Sequence, residues 1–475
     1  HGAVFRITTA GVYSVLQSFN NYGRSPRGRL VEGSDGAFYG TTHFGGAGDF
    51  GTVFKVTPEG VHSVLHNFNG ANGRYPYAGL VLGGDGAFYG TTESGGASTY
   101  GTVFKITTAG VHSILHLFNG ANGSYPYAGL VLGGDGAFYG TTYQGGASGN
   151  GTVFKITSAG VHSVLHSFDN TNGGGPRGRL VENSDGSFYG TTYTGGASSF
   201  GTVFRVTNAG VHSVLHSFNG TNGRYPYAGL VLGSDGAFYG TTYQGGASGN
   251  GTVFKITTGG AHSVLHNFNN TNGRYPWAEL VEGSDGVFYG TTANGGTSGN
   301  GTVFKITKAG VHSLLHSFDG SAAISPQSTP IIGSDGNLYG TADLMVVWRL
   351  SPPQQKFDNA MTAAGLSGGN AIANATPRQD AMANLLKYAF NMDLTAPDRR
   401  TMIPGSGIAG LPVITVPSPG VMRMEYVRRV GSGLIYTPKK RGALDAGTWV
   451  PLTAPPVVTP INANWERVHH DEAFN

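Results

Sequence analysis

Gly51-Thr52-Val53-Phe54-Lys55 returns at Gly101, Gly151, Gly201, Gly251 and Gly301, and in diverged form at Gly2-Ala3-Val4-Phe5-Arg6. The internal copies keep a period of 50 residues without slippage. A fixed period of this length means a solenoid, a propeller or an array. One unit reads as four short strands. Leu80-Val81-Leu82 passes through Gly83-Gly84-Asp85-Gly86 into Ala87-Phe88-Tyr89-Gly90-Thr91-Thr92. The Asp-Gly pair between β-formers is a hairpin signal, because the turn needs residues that accept positive φ. A Gly-rich connection, Gly95 to Ser98, leads to a third strand, Thr102 to Thr107. The Ala109-Gly110 turn opens a fourth, Val111 to His116, and a long loop, Asn119 to Pro126, returns to the next unit.

Four antiparallel strands per unit match a kelch-like propeller blade. An open β-solenoid is the rival, and it would need polar caps at both ends. Chain order favours the propeller. The chain opens on strands three and four of a unit (Val4 to Ile7, Val12 to Ser18) and reaches strands one and two of a last unit at Pro330 to Thr341. The N-terminal hairpin is therefore expected to complete the last blade and close a seven-bladed ring. Val346-Val347-Trp348-Arg349-Leu350 also resembles a third strand. It competes for the same slot, and an exit strand or plug is the expectation for it.

Composition agrees with short strands and many turns. Gly fills 81 of 475 positions, against roughly 33 at the usual ~7%. Net charge is only +3, which gives no electrostatic reason to expect nucleic acid or an anionic membrane as partner. Cysteine is absent, excluding disulfides, thiolate metal sites and cysteine nucleophiles. No apolar run reaches the ~18 residues a membrane span needs. The chain opens in mid-pattern at His1, as expected where a leader has been removed or not included.

The unit Gly-x-Val-Phe-Lys-Ile-Thr…Ser-Asp-Gly-x-Phe-Tyr-Gly-Thr-Thr…Gly-Gly resembles the GloVer tandem repeat of large exported proteins, notably of Verrucomicrobia, over residues 2 to 350. The C-terminal part is similar to the tails of such proteins. It has a short helix, Asn384 to Asn391, then a β-module with Val427-Arg428-Arg429, Thr448-Trp449 and Trp465 to Val468. In such tails an Asp-rich stretch often precedes the helix; Thr376 to Asp380 stands there instead, against calcium at that point. The resemblance implies export and surface association, and no established activity.

These readings give an all-β fold in four parts: a seven-bladed propeller over 1–351, a linker over 352–375, a short helix and connection over 376–400, and a small β-sandwich-like module over 401–475. In the module, strands are expected at Val413 to Val416, Val421 to Arg429, Leu434 to Thr437 and Trp465 to His469. The last of these lies close to the chain end, where an unpaired edge would invite another chain.

Six histidine pairs, from His62/His66 to His312/His316, have the i, i+4 spacing of a helical metal site. On a strand the two would share a face about 13 Å apart, at ~3.3 Å per residue, too far for one ion. Blade interfaces or the rim are their expected place. The aspartates at 35, 85, 135, 185, 235, 285 and 335 recur once per unit. Catalysis needs one or two carboxylates in unlike environments, so a turn role is expected.

The return loops carry the best binding candidates: Tyr75, Tyr77, Tyr125, Tyr127, Tyr225, Tyr227, Tyr275 and Trp277, near polar loops around Gln144 and Gln244. Flat aromatic faces suit sugar rings or protein partners, although packing between blades is an equally physical use for them. Units one and four depart from the repeat with Arg27, Arg29, Glu32 and Arg177, Arg179, Glu182, and unit six with Glu279 and Glu282. On inner strands these face a central channel, as salt-bridged fillers or as a site for an acidic ligand. No His-Glu-x-x-His or phosphate loop occurs. The expectation is an extracellular or cell-surface binding or adhesion module that recognises carbohydrate or protein. It is neither an enzyme nor a membrane-inserted or nucleic-acid-binding chain, and needs no cofactor or metal. The alternative is a structural subunit that assembles with copies of itself into a filament or surface layer.

Overall fold

The computed structural model describes the backbone of residues 2–7, 13–19, 23–320, 325–333, 337–342 and 346–350, with strands between 413 and 473, and the side chains of 23–320, 325–333, 337–340 and 350. Two compact units divide at Leu350/Ser351. In the first, each repeat is one antiparallel meander. Its pattern is set by β1 (Val31–Glu32), β2 (Phe38–Thr42), β3 (Thr52–Val56) and β4 (His62–Asn67), paired in chain order. Six such four-stranded sheets, or blades, follow one another between 31 and 317. The fold is propeller-like and all-β, and the described residues contain no helix. None is therefore long and apolar enough to cross a membrane.

The turns are those the residues dictate. The glycine after each turn aspartate sits at φ of 72° to 77° in the first six units, a conformation that costs an L-residue about 1–2 kcal/mol. One Asp oxygen accepts from the backbone N–H two residues on, as Asp85 does from Ala87. The other accepts from Tyr89 Oη at 2.7 Å and pairs with Lys105 Nζ at 2.7 Å. The aspartates are turn residues, and the partner pair on the next two strands is an addition to that reading.

Blades are held together by their aromatic residues. Tyr39 stacks on Phe88 of the following blade, and the pattern repeats through Tyr239 and Phe288 with centroids 3.8 to 4.1 Å apart. Phe68 meets Phe104 edge-on at 5.3 Å, and equivalent pairs follow along the stack. Gly140 lies in mid-strand because a Cβ there would stand 2.6 Å from Phe154 Cζ. Thr42 and Thr52 share a buried hydroxyl hydrogen bond of 2.8 Å across β2 and β3.

Three expectations need correction. First, the third strand of the last sheet is Val346–Leu350, paired with Leu338–Ala342 in the register of β2 with β3: Gly340 faces Trp348 as Gly40 faces Phe54. Gly2–Ile7 and Tyr13–Phe19 form a two-stranded sheet of their own. The N-terminal hairpin does not pair into the last sheet, and Trp348 is a strand residue rather than a plug. A strand three residues downstream closes a far smaller loop than one more than 300 residues away, and loop entropy favours it.

Second, His62 and His66 do not share a face. A register shift between Val53 and Phe54 puts one extra residue, Leu65, into β4. His62 pairs with Val56, and His66 with Val53, on opposite faces of the sheet. Third, in the C-terminal unit the last strand, Trp465–Ala473, lies inside a four-stranded sheet between Val421–Arg429 and Val457–Asn462, with Val413–Ser418 on the far edge. It is not a bare edge. The expected helix over 376–400, the linker, Thr448-Trp449 and the strand at Leu434 to Thr437 lie outside the described residues.

Candidate functional site

Each return loop is stapled to the connection between the second and third strands of the following blade. Arg74 bridges Ser94, Ser124 bridges Gln144, and Arg224 bridges Gln244. Within the loop Tyr75, Tyr125, Tyr225 and Tyr275 take φ of 57° to 60°. This left-handed residue turns the chain inward, and the proline after it packs against a glycine, as Pro76 does on Gly51.

The turn separates the tyrosines into two classes that composition had joined. Tyr75, Tyr125, Tyr225 and Tyr275 lie against the connection between the second and third strands of the preceding blade, Tyr75 on Phe44 at 5.3 Å and Tyr275 on Tyr243 at 4.8 Å. Two residues on, Tyr77, Tyr127, Tyr227 and Trp277 point to a common centre, with Arg27 and Arg177 at the same repeat position. Tyr77 meets Tyr127 edge-on at 5.7 Å, and Tyr227 meets Trp277 at 4.2 Å. Tyr227 also feels Tyr77, three units away in sequence. The four rings are half-buried.

The two arginines differ. Arg177 is caged by Tyr127, Tyr143, Tyr193 and Tyr227, with centroids 4.4 to 5.6 Å from its guanidinium carbon. It donates to Tyr227 Oη at 2.9 Å, so it fills space. Arg27 is exposed, stands over Tyr77 at 5.0 Å, and has His43 where Arg177 has Tyr193, with its charge also felt by Glu93. His43 Nε2 lies 4.0 Å from Glu93, and Tyr127 Oη donates to Glu93 at 3.4 Å. Burial, then the charge of Arg27, holds His43 down to about 4. Burial raises Glu93, and burial with the Glu93 charge lifts Tyr127 to about 12. His43 and Glu93 were missed from the sequence. Their signal is that the position reads His43, Glu93, Tyr143, Tyr193, Tyr243, Ala293 in otherwise near-identical loops.

One step further in, Arg29 and Arg179 are exposed and Glu279 is half-buried. All three line a cavity of about 480 Å³ whose walls also come from Val231, Val281 and Ile331. The glycine within each Pro-Arg-Gly-Arg departure has a packing cause. A Cβ on Gly28 would stand 2.3 Å from Gly79 N, and one on Gly178 2.5 Å from Gly229 N. The glutamates divide. Glu182 accepts from Gly134 N, and Glu282 from Ser234 N and Lys308, so both cap the turn of the preceding blade.

The histidines meet across blade seams. His66 stacks on His112 at 3.8 Å with ring planes 4° apart, and His116/His162, His166/His212, His216/His262 and His266/His312 repeat this at 3.7 to 3.9 Å. Face-to-face rings direct their nitrogens edgeways, and His66 Nε2 is held by Asn72. The blade-interface reading holds.

Among solved structures the chain is similar to a periplasmic gluconolactonase of Pseudomonas aeruginosa (16% identity, 69% of this chain and 92% of that one, TM-score 0.45). It is also similar to the BP39L lectin of Burkholderia pseudomallei (11%, 69% and 96%, TM-score 0.47) and a gluconolactonase of Xanthomonas campestris (12%, 68% and 98%, TM-score 0.36). Likenesses this loose carry no functional argument. No curated protein matches the sequence. The model of the Gloeobacter/Verrucomicrobia repeat matches residues 1–185 and 132–345. The recurring unit that builds every blade is the unit of that family, and the chain belongs to the Gloeobacter/Verrucomicrobia repeat family.

Proposed function

We propose that the protein is an extracellular carbohydrate-binding module that acts without turnover, with seven blades closed around one axis. Its site is the mouth formed by Arg27, Tyr77, Tyr127, Tyr227 and Trp277. The observation that carries this is convergence. Side chains at one repeat position, from units that follow one another along the chain, come together as half-buried rings beside an exposed guanidinium. Half-buried rings offer flat apolar faces for sugar C–H groups, and Arg27 with Glu93 supplies a donor and an acceptor for hydroxyls. The closed arrangement is supported by the approach of Tyr77 to Tyr227 and by a cavity shared by Arg29 of the first unit and Ile331 of the last.

An array of immobilised neutral and acidic glycans tests the reading. The protein is expected to retain a defined subset, and Tyr127→Ala or Trp277→Ala to weaken retention at least about tenfold, as loss of a ring-stacking anchor does. Uniform failure to retain any glycan, or retention that both variants leave intact, would remove carbohydrate from the mouth.

A further inference from the structure

Arg29 and Arg179 are the cations of the inner cavity, and neither closes an ion pair in the fold. Every ion pair within 4.0 Å among the described residues is made by other side chains. Both guanidiniums are solvent-exposed, so the cavity is wet and accessible. Packing does not require arginine here, because five of the seven units have no cation at this position: Gly79, Gly129, Gly229, Glu279 and Thr329. Of the two glutamates in the lining, Glu282 is neutralised by Lys308 at 2.7 Å; the other, Glu279, has its Oε1 2.5 Å from where a Cβ on Gly229 would stand and accepts from the Gly229 amide. Both arginines act on it through space without closing on it.

Guanidinium groups bind carboxylates through paired, charge-assisted hydrogen bonds. Two of them against one carboxylate leave a local charge of +1, which suits a monoanion better than a dianion. Glu279 has one oxygen engaged by Gly229 and one able to accept from a ligand hydroxyl. The aliphatic walls at Val231, Val281 and Ile331 would cover a carbon skeleton. A volume near 480 Å³ admits a single sugar ring.

We propose that this cavity binds a hydroxylated monocarboxylate of hexuronate size, its carboxylate held between Arg29 and Arg179 and a hydroxyl donated to Glu279. The proposal rests on the carbohydrate reading above and names the class of sugar, but its residues are distinct from those of the mouth.

Calorimetric titration of the full chain with glucuronate, glucose and inorganic phosphate tests it. Glucuronate is expected to bind at least tenfold more tightly than either of the others. Arg29→Gln and Arg179→Gln should each weaken it tenfold or more at unchanged thermal stability, since both side chains are exposed. Glu279→Gln should weaken glucuronate more than acetate. Equal binding of glucose, tighter binding of phosphate, or indifference to both arginine variants overturns the proposal. Trp277→Ala separates the two readings. Glycan retention lost with glucuronate unaffected leaves both standing; retention in the parent with no glucuronate binding sinks the cavity alone. Glucuronate binding without any glycan retention sinks the mouth alone.

Discussion

At the scale of single residues, the turn aspartate does more than its place before glycine requires. Asp235 accepts from Tyr239 Oη at 2.8 Å and pairs with Lys255 at 2.8 Å, while Tyr239 is fully buried. Burial works against the ionised carboxyl, but Lys255, Tyr239 and the Ala237 amide outweigh it and hold Asp235 down to about 2. A depressed carboxylate contributes stability that is present above the unfolded value of 3.8 and is lost as pH falls through about 2. Asp235→Ala leaves a buried hydroxyl without its acceptor and is expected to cost about 2–3 kcal/mol. Denaturant unfolding at pH 7 checks this, and a loss no larger than that of an exposed surface alanine would contradict it. The sequence announced the aspartate through the Asp-Gly turn but not its partners, which sit four and twenty positions downstream. Likewise Tyr75 and Tyr77 read as equivalent aromatics. Only the left-handed backbone at Tyr75 sends one to the loop and the other to the mouth.

At the scale of the strand, legibility ended where periodicity was broken. Alternation predicts that residues four apart share a face, and the extra Leu65 reverses this without any glycine to mark it. That reversal lets the second histidine of one blade face the first histidine of the next. The same bulge recurs at Leu165, between Phe154/Val164 and Val153/His166. Deleting Leu165 restores simple alternation and should turn His166 away from His212, opening the seam. Leu165→Ala keeps the bulge and loses only side-chain packing, so the deletion should lower the melting temperature by clearly more. Equal losses would mean that the extra residue has no part in the seam. The last sheet teaches the same lesson in reverse. Val346 to Leu350 was recognisable as a third strand, and the nearness of its partner, rather than its composition, decided the pairing.

At the scale of the whole molecule, the five histidine seams titrate in one direction. Burial, and then the charge of the facing ring, holds His112, His162, His212, His262 and His312 down to about 4, from an ordinary value of 6.5. Their stacked partners His66, His116, His166, His216 and His266 are also lowered by burial. What faces each pair is phenylalanine, such as Phe68 and Phe104 around His112; the asparagine on the second histidine, such as Asn72 on His66, pulls the other way but is outweighed by burial, and Asp169 adds to it at the His166/His212 seam. Between pH 6.5 and 4 the unfolded chain therefore binds more protons than the folded one. Stability is complete above 6.5 and falls as pH drops toward 4, by about 1.4 kcal/mol per pH unit for each full proton of difference. Repetition makes the effect collective: up to five protons from one ring of each seam enter the same unfolding equilibrium. Calorimetry at pH 7, 5.5 and 4.5 should show the melting temperature falling steeply over this range. Replacing the five low histidines with phenylalanine keeps an aromatic ring in each seam but removes the proton site, and should flatten the fall. An equally steep fall in that variant would place the acid sensitivity elsewhere than in the seams.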